Sequence, residues 1–524
     1  MVLAIVAVTG FAATDANFNA KGYPIVKQPI TLKMMGSKTI THGPWDKMLV
    51  FQEVEKKTGI HIVWDTPPEN IYMERKSIIF AANELPDAFF KGQLSSQEVA
   101  DYGSQGLLIP LNKLIDKYAP NFKKVLREFP DVKKTITSAD GNIYCLTGVT
   151  GYADGLINAP TWINKKWLDA LKLPMPTTTD ELYKVLKAFK EKDPNGNGKQ
   201  DEIPLAAATN FAVPTQAPDI IHSLRGCWGL GNRGTTGTAD FDLDKSGKVR
   251  YIPVDSRYKE LLAYINKLYV EGLVDKELFT QKKAQYQAKG SQGLYGMFIR
   301  NTPDQAGAVK YMADYVGTGC FKGPHGDKLH SNVSDPSSNP VGAFAITKKN
   351  RYPEATMRWV DYFYGEEGAI LMAAGIKGVT YQVLPDGTIT YMENITKNPQ
   401  GLTQNDAIGQ FSPIPGGGIP RLILEKYDLL PKNAPAAKAA RASVVPYIPK
   451  EVWPEFTFTE AERAQLSVLQ NDINTYVREM EAKFIMGAEP LSSWDKYVAQ
   501  VKRIGLAKLL EIYTAAYKRW KSGR

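Results

Sequence analysis

Three apolar segments lie close together in the chain: Ile30-Thr-Leu-Lys-Met-Met35, Ile60-His-Ile-Val-Trp64 and Leu85-Pro-Asp-Ala-Phe-Phe90. Their length and composition are typical of β-strands. Between them, Trp45–Lys57 carries apolar residues at helical spacing, and Ile71–Asn83 is a second predicted helix. This alternation of strands and helices predicts βαβ units, a largely parallel sheet and therefore an α/β protein.

Ligands of parallel α/β sheets bind beyond the carboxyl ends of the strands. That rule directs attention to Ser37–His42 and Lys91–Gln93, which follow predicted strands. Farther along the chain, the buried strand Leu294–Arg300 leads into Asn301, and Val341–Thr347 is another strand. We expect ligand-binding groups at these strand ends.

A different chemistry is indicated by Asp193-Pro-Asn-Gly-Asn-Gly-Lys-Gln-Asp-Glu202, where oxygen-bearing side chains alternate with glycine. A hard cation such as calcium takes about six to eight oxygen ligands in a flexible loop. An EF-hand has a glutamate at its twelfth position, which here is Pro204, so only the first part of the loop matches. The alternative is a Gly/Asn-rich turn with solvated acids. The candidate calcium ligands are the side chains of Asp193, Asn195, Asn197, Asp201 and Glu202 and the backbone carbonyl of Lys199.

The composition indicates a large protein with room for several domains. The chain has 524 residues and a net charge of +9, and its charges are spread without a basic block. We therefore expect no nucleic-acid partner. Only Cys145, Cys227 and Cys320 are present, far apart and without metal-ligand spacing, which predicts no essential disulfide.

The N-terminal stretch Met1–Ala13 is an apolar run followed by small residues. It resembles the apolar region of a secretory signal, so residues 1–16 are interpreted as a remnant of that signal. The run is too short to span a bilayer as a helix. No cysteine lies there to carry a lipid. These features predict an exported protein, periplasmic or secreted.

Catalytic motifs are missing from the sequence. It contains no HExxH, GxSxG or Walker motif. The GxGxxG match at Gly229–Gly234 follows Cys-Trp and is interpreted as a plain loop. The acidic stretch Asp240–Tyr251 favours a β-hairpin turning at Lys245–Gly247 over a second metal loop. No pair of carboxylates is singled out for hydrolysis, so the sequence predicts a protein that is not an enzyme.

Several motifs point to one family. Singly they are weak, but the loop at Asp193 and the C-terminal motifs together are specific. They are Leu85-Pro-Asp87, Gly106–Asp116, Asp140–Tyr144, Thr179–Tyr183, Leu186–Pro204, Asp361–Gly365, Lys483–Gly487, Trp494–Tyr497 and Ala516-Tyr517. The chain resembles the family 1 extracellular solute-binding proteins of ABC importers, and within them the oligosaccharide-binding branch that includes the alginate-binding proteins.

The resemblance implies two α/β lobes joined by a hinge, with a helical C-terminal region and the ligand in the cleft between the lobes. The expected N-terminal lobe comprises residues 24–150 and 341–410, and the C-terminal lobe residues 151–340 and 411–524. It also implies a structural calcium ion on the six candidates named above. The implied partners are an oligosaccharide and the permease subunits of an ABC importer, and the chain itself is expected to be a monomer.

The ligand-binding side chains are less sharply defined. Sugars stack on aromatic rings, and their hydroxyl or uronate groups bind Arg, Lys, Asn or Gln. The candidates flanking the predicted cleft are Lys38, His42, Gln93, Tyr152, Phe298, Arg300, Asn301, Gln410 and Arg421. Alginate-binding proteins carry a bulky aromatic residue after the position of Ile408-Gly409, where this chain has Pro415-Gly-Gly-Gly418, which argues against alginate as the ligand.

The sequence therefore predicts a binding protein that captures an oligosaccharide, with uronate-containing sugars among the candidates. Two alternatives stay open. One is a secreted carbohydrate-active enzyme with a structural calcium ion. The other is a binding protein of the same fold for a different solute, such as a peptide.

Overall fold

The computed structural model describes residues 16–209, 217–234, 239–337, 340–429 and 434–523. Two four-stranded sheets lie in separate parts of the molecule, and each is surrounded by helices. The predicted α/β class is confirmed. The predicted signal remnant lies almost wholly outside the described residues.

The strands are β1 Ile30–Met35, β2 Ile60–Asp65, β3 Ala88–Leu94, β4 Val149–Thr150, β5 Thr161–Asn164, β6 Ile203–Ala206, β7 Phe241–Leu243, β8 Val249–Tyr251, β9 Tyr295–Ile299, β10 Tyr315–Gly317, β11 Gly342–Ile346, β12 Tyr381–Val383, β13 Ile389–Tyr391 and β14 Leu422–Ile423. The helices are α1 Leu49–Thr58, α2 Glu69–Ala82, α3 Ser96–Ser104, α4 Asn112–Tyr118, α5 Pro120–Glu128, α6 Pro130–Ile136, α7 Lys165–Ala170, α8 Thr179–Glu191, α9 Asp219–Leu224, α10 Ser256–Val270, α11 Lys283–Ser291, α12 Pro353–Asp361, α13 Glu366–Ala374, α14 Glu393–Thr396, α15 Gln404–Gly409, α16 Pro435–Ala442, α17 Glu460–Met486, α18 Trp494–Ile504 and α19 Leu506–Ser522.

The N-terminal sheet has the strand order β11-β3-β1-β2. The first three strands along the chain are parallel, as predicted, with Ile30 opposite Ile60 and Met34 opposite Ala88. Strand β11 joins the free edge of β3 in the antiparallel sense, with Phe344 opposite Phe90. The carboxyl ends of β1 and β3 consequently lie at the same edge of this sheet.

The C-terminal sheet has the order β10-β5-β9-β6 and is mixed. Strands β6 and β9 are parallel, with Leu205 opposite Met297, whereas β5 is antiparallel to both of its neighbours β9 and β10. The inference of a largely parallel sheet therefore holds for the N-terminal sheet and is wrong for this one.

Two large apolar cores accompany the sheets. One contains buried residues from the ranges 25–149 and 341–427, and the other from 163–321 and 453–520. The expected lobe boundaries stay a prediction, but Ile414, Ile419 and Tyr427 pack in the first core. This packing extends the first core from residue 410 to Tyr427.

Three chain segments run side by side where the two halves meet. Strand β4 pairs in parallel with β14. The Thr150 N–H donates to the Pro336 carbonyl (2.8 Å), and the Ser334 N–H donates to the Leu156 carbonyl (2.9 Å). We call this arrangement of residues 149–157, 333–337 and 421–428 the crossing region. Few and short hydrogen-bonded segments of this kind can absorb a rotation of one half against the other.

The C-terminal helices pack against the second core and also reach the first half of the molecule. Helix α17 begins with a capping box, since Thr459 Oγ1 accepts from the Glu462 N–H and the Glu462 carboxylate accepts from the Thr459 N–H. Arg463 of the same helix pairs with Asp101 of α3 (2.7 Å). Gly505, at φ 139°, separates α18 from α19 and leaves room for Leu469.

Two local expectations from the sequence are confirmed. Strands β7 and β8 form the predicted hairpin, and Asp242 within it is buried and pairs with Arg250 (2.5 Å). The GxGxxG segment is a loop whose Gly231 N–H donates to Asp242 (2.8 Å). Those backbone donors are thus used inside the protein and are not available to a phosphate.

Candidate ligand site and calcium loop

The Asp193 loop, residues 193–202, connects α8 to β6. Helix α8 forms because a capping box of Thr178 and Glu181 closes its first turn and its apolar face packs in the second core. Gly196 and Gly198 both adopt φ 73°, a left-handed conformation that costs glycine little. The loop can therefore turn back on itself twice in a few residues.

Asp193 organises the first half of this loop. Its carboxylate accepts hydrogen bonds from the backbone N–H groups of Gly196 (2.8 Å), Asn197 (3.1 Å) and Gly198 (2.7 Å). The Lys199 N–H donates to Asn197 Oδ1 (2.8 Å). The Lys199 carbonyl accepts no hydrogen bond within the part of the chain that the structure describes.

The second half of the loop collects negative charge. Asp201 Oδ1 accepts from the side-chain amides of Asn195 (3.2 Å) and Asn197 (3.1 Å). Both carboxylate oxygens of Glu202 are inaccessible to water and lack a hydrogen bond of normal geometry. Burial, together with the charges of Asp201 and Asp193, raises the pKa of Glu202, although the Asn195 N–H partly counters that rise. A buried carboxylate of this kind is unfavourable unless a cation compensates it.

The described residues contain no group of three or more His, Cys, Asp and Glu side chains arranged as a metal site. Calcium is consequently not confirmed by the structure. The donor set nevertheless fits a hard cation: it consists of carboxylate, amide and carbonyl oxygens in one short loop, and both Glu202 oxygens are buried without a hydrogen bond of normal geometry. Sequence reasoning located these residues correctly between a helix and a strand.

The predicted ligand residues of the N-terminal sheet gather at its carboxyl edge. Lys38 follows β1, and its side chain is partly exposed. His42 is buried, and its Nε2 lies 2.9 Å from the Pro415 carbonyl. Burial and the nearby Lys91 charge lower the pKa of His42 to about 3. His42 is therefore neutral near pH 7 and supports the chain at Pro415, contrary to the expected sugar contact.

Lys91 was not among the predicted ligand-binding residues, although the range Lys91–Gln93 was singled out because it follows a predicted strand. Its side chain is 0% exposed, and its ammonium donates to the carbonyls of Pro415 (2.6 Å) and Pro413 (3.4 Å). Burial lowers the pKa of Lys91 to about 7. No sequence signal distinguishes this lysine, because its partners are backbone carbonyls far along the chain.

The backbone around Lys91 is strained. Lys91 and Gln93 have φ 54° and φ 50°, values that non-glycine residues rarely adopt. The Tyr72 hydroxyl donates to the Gly92 carbonyl (2.8 Å), and the Lys76 ammonium donates to the Gln93 carbonyl (2.7 Å). The strand predicted to end at Phe90 continues to Leu94 through this corner, which turns Gln93 towards the glycine loop 416–418.

The glycine loop packs directly on this corner. A Cβ at Gly416 would lie 3.2 Å from Lys91 Nζ, and a Cβ at Gly418 would lie 3.1 Å from Gln93 Nε2. Gln410, also exposed at this edge, donates to the Asp406 carbonyl (3.2 Å). The structure thus brings together Lys38, His42, Gln93 and Gln410 around residues 36–43 and 410–418.

The predicted residues of the C-terminal sheet follow β9. Arg300 Nη1 donates to Asp219 Oδ2 (2.6 Å), and the guanidinium lies 4.5 Å from the centre of the Tyr286 ring. Asn301 Oδ1 accepts from the Ala159 N–H (2.7 Å). Phe298 is fully buried against Trp162 and Tyr315. Its expected role in sugar stacking is incompatible with that burial.

Tyr152 and Arg421 lie in the crossing region and meet at Asp428. The Tyr152 hydroxyl donates to Asp428 Oδ2 (2.6 Å). Arg421 is 3% exposed. Burial lowers the pKa of Arg421, and the nearby negative charge of Asp428 partly offsets that effect. These two candidates therefore contact the crossing region, while the other seven lie in the two separate groups described above.

Residues 37–370 match the family model for bacterial extracellular solute-binding proteins. This range is more than half of the chain. The chain belongs to that family. The resemblance inferred from the sequence is confirmed. Among the described residues, no helix combines the length and apolar character needed to cross a bilayer.

Individual solute-binding proteins resemble the chain over most of its length. The fructooligosaccharide ABC transporter substrate-binding protein FusA of Streptococcus pneumoniae is 28% identical over 538 residues, which cover 100% of this chain and 97% of FusA. The polygalacturonan/rhamnogalacturonan-binding protein YtcQ of Bacillus subtilis is 27% identical over 413 residues, 76% of each chain. These relatives are binding proteins.

Solved structures extend the comparison. FusA in complex with kestose has a TM-score of 0.75 at 26% identity, covering 94% of this chain and 100% of FusA. Alginate-binding protein AlgQ2 without calcium ion has a TM-score of 0.69 at 26% identity, covering 95% of this chain and 100% of AlgQ2. The two-lobe fold expected from the sequence is confirmed by these matches.

Proposed function

We propose that this solute-binding protein captures an oligosaccharide between its lobes and delivers it to the permease of an ABC importer. The observation that carries the proposal is the full-length similarity to FusA, whose kestose complex has the same two-lobe fold. Polar groups at the carboxyl edges of both sheets support it, because ligands of such sheets bind there.

Capture would follow from rotation about the crossing region. An oligosaccharide that contacts both carboxyl edges at once favours the closed arrangement of the lobes by its additional contacts. Such a rotation would strain the short pairing of β4 with β14 and the Tyr152–Asp428 hydrogen bond. The protein is extracellular by family, and we propose that residues 1–16 belong to its export signal.

Calorimetric titration of the full chain with oligosaccharides tests the proposal. Binding with unit stoichiometry and unchanged sugar in chromatography after incubation is the expected result. Cleaved sugar would identify a carbohydrate-active enzyme instead. Binding of peptides without any binding of sugar would identify a transporter subunit for another solute.

We further propose that the Asp193 loop binds one calcium ion. Its ligands would be the side-chain oxygens of Asp193, Asn195, Asn197, Asp201 and Glu202 and the Lys199 carbonyl. The unpartnered Glu202 carboxylate supports this, as do the solved structures of a FusA EF-hand mutant and of AlgQ2 without calcium ion.

The proposed ion has a structural role. A calcium ion neutralises three carboxylates and fixes the connection from α8 to β6, and the loop's own residues occupy its coordination positions. Elemental analysis after dialysis should find about one calcium per chain. Unfolding at a higher temperature in calcium than in a chelator is the second expected result, since a ligand of the folded state stabilises it.

A further inference from the structure

Three basic side chains near the candidate site, Lys91, Arg300 and Arg421, have partners inside the protein. Lys91 is the most deeply placed, and its ammonium is surrounded by the Pro413 and Pro415 carbonyls and not by a carboxylate. The ammonium therefore stabilises the position of the glycine loop. A sugar at this edge would meet the loop and the Gln93 amide before it could meet the ammonium.

The two arginines have carboxylate neighbours of their own. Arg300 donates to Asp219 at 2.6 Å, and Asp219 also accepts from the Ala208 N–H (3.0 Å). Arg421 is buried near Asp428, which in turn accepts from Tyr152. Each guanidinium is therefore already compensated by one negative charge.

An acidic sugar would be unfavourable in such a site. A uronate carboxylate that leaves water needs a cation or several donors to replace its hydration. Drawing Arg300 towards a uronate would leave Asp219 without its partner, at the cost of an unpaired buried charge. Among the described candidates, Lys38 alone combines a positive charge with partial exposure and no ion pair.

The remaining groups suit hydroxyls. Gln93, Asn301 and Gln410 carry amides that donate and accept without net charge, and the glycine loop brings peptide groups to the surface without side chains over them. Gly417 in particular has no heavy atom within 4 Å of where a Cβ would stand. Sugar hydroxyls both donate and accept, so they match this set of groups.

We infer that the ligand is an uncharged oligosaccharide and that oligosaccharides built of uronic acids are excluded. The inference rests on the function proposed above and specifies its ligand class. Discrimination follows because Arg300 and Arg421 already have carboxylate neighbours and Lys91 is buried, so among the described candidates only Lys38 is left to replace the water of several uronate groups.

Pairs of sugars that differ only in charge provide the test. The full chain is titrated by calorimetry with α-1,4-galactotriose and α-1,4-trigalacturonate, which differ at C6, and with kestose, fructo-nystose and a mannuronate trimer. The expected result is binding of at least one neutral sugar, and no uronate binding within about 100-fold of it. The affinity of that sugar should change by less than about twofold between low and high salt, because no charges are brought together.

The outcomes separate the two proposals. Tighter binding of a uronate than of every neutral sugar overturns the neutral-ligand inference and leaves the binding function intact. No binding of any oligosaccharide overturns both.

Lys38→Gln is compared with Lys496→Gln, an exposed lysine of α18. Lys496→Gln should leave the affinity for the neutral sugar unchanged, and Lys38→Gln should not weaken uronate binding selectively, whereas a selective loss of uronate binding in Lys38→Gln would show that Lys38 binds a carboxylate and would overturn the inference.

Discussion

Replacing Glu202 by glutamine should have opposite effects with and without calcium. Glutamine keeps the shape of the side chain and removes its charge. In metal-free protein both Glu202 oxygens are buried without a well-formed hydrogen bond, and the neighbouring Asp193 and Asp201 are negative. Removing that charge therefore relieves an unfavourable interaction before any metal is added.

The size of each effect follows from these surroundings. A buried polar group without a partner costs about 1–3 kcal/mol. The low end applies here because the Asn195 N–H partly stabilises the carboxylate, so Glu202→Gln should stabilise the metal-free protein by about 1 kcal/mol. Calcium at about 100 times its Kd adds about 2.7 kcal/mol to the wild-type protein. A variant that lacks a charged ligand should lose most of that gain and become less stable than wild type.

Thermal unfolding followed by circular dichroism, in chelator and in excess calcium, measures both signs. In chelator, Glu202→Gln should unfold at a higher temperature than the wild type, and in excess calcium it should unfold at a lower temperature. Asp244→Asn is the control, because it removes one negative charge from another acidic turn, that of the β7–β8 hairpin, where Asp244 already accepts from the Ser246 and Lys248 N–H groups. The reasoning is refuted if Glu202→Gln shifts the midpoint in the same direction in both conditions, or if calcium leaves the wild-type midpoint unchanged.

Three further changes test other contacts. Asp193→Ala should lower stability by about 1–2 kcal/mol even in chelator, since three backbone N–H groups lose their acceptor; an effect seen only with calcium would contradict this. Lys91→Met tests the lowered pKa of Lys91. At a pH between the folded-state pKa of about 7 and the ordinary pKa of 10.5, this lysine binds more protons in the unfolded chain than in the folded one. The stability of the wild type relative to the variant should therefore rise with pH in this range. A pH-independent difference in urea unfolding would disprove it. Tyr152→Phe removes a 2.6 Å hydrogen bond to Asp428 and should cost about 1.5–3 kcal/mol in urea unfolding. Tyr269→Phe, which loses a bond to a backbone carbonyl, should cost less, and equal losses would argue against a charged acceptor.

Local signals predicted the elements well. The hairpin turn and the strand–helix alternation of the first lobe depend on residues close in the chain. The Asp193 loop belongs to the same class, since its donors lie within ten residues. Short-range chemistry of this kind is visible in a single sequence.

The ligand site was predicted less well because its contacts join distant segments. The sequence does not show that Lys91 reaches Pro415, or that Arg300 already has Asp219. Phe298 and a ligand-stacking aromatic residue look alike until the packing of Trp162 is known. The antiparallel placement of β5 likewise depends on where the chain re-enters the second sheet.

The antiparallel pairing of β11 with β3 has a consequence for the order of synthesis. Phe344 must reach Phe90 before the first sheet is complete, and the segments that form most of the second core leave the ribosome in between. Until then β3 has an open edge rich in phenylalanine, which is a hazard for association with other chains. The N-terminal sheet is therefore synthesised first but completed only after β11 has been made. We expect a nascent or exported chain that ends before Gly342 to need a chaperone to stay soluble.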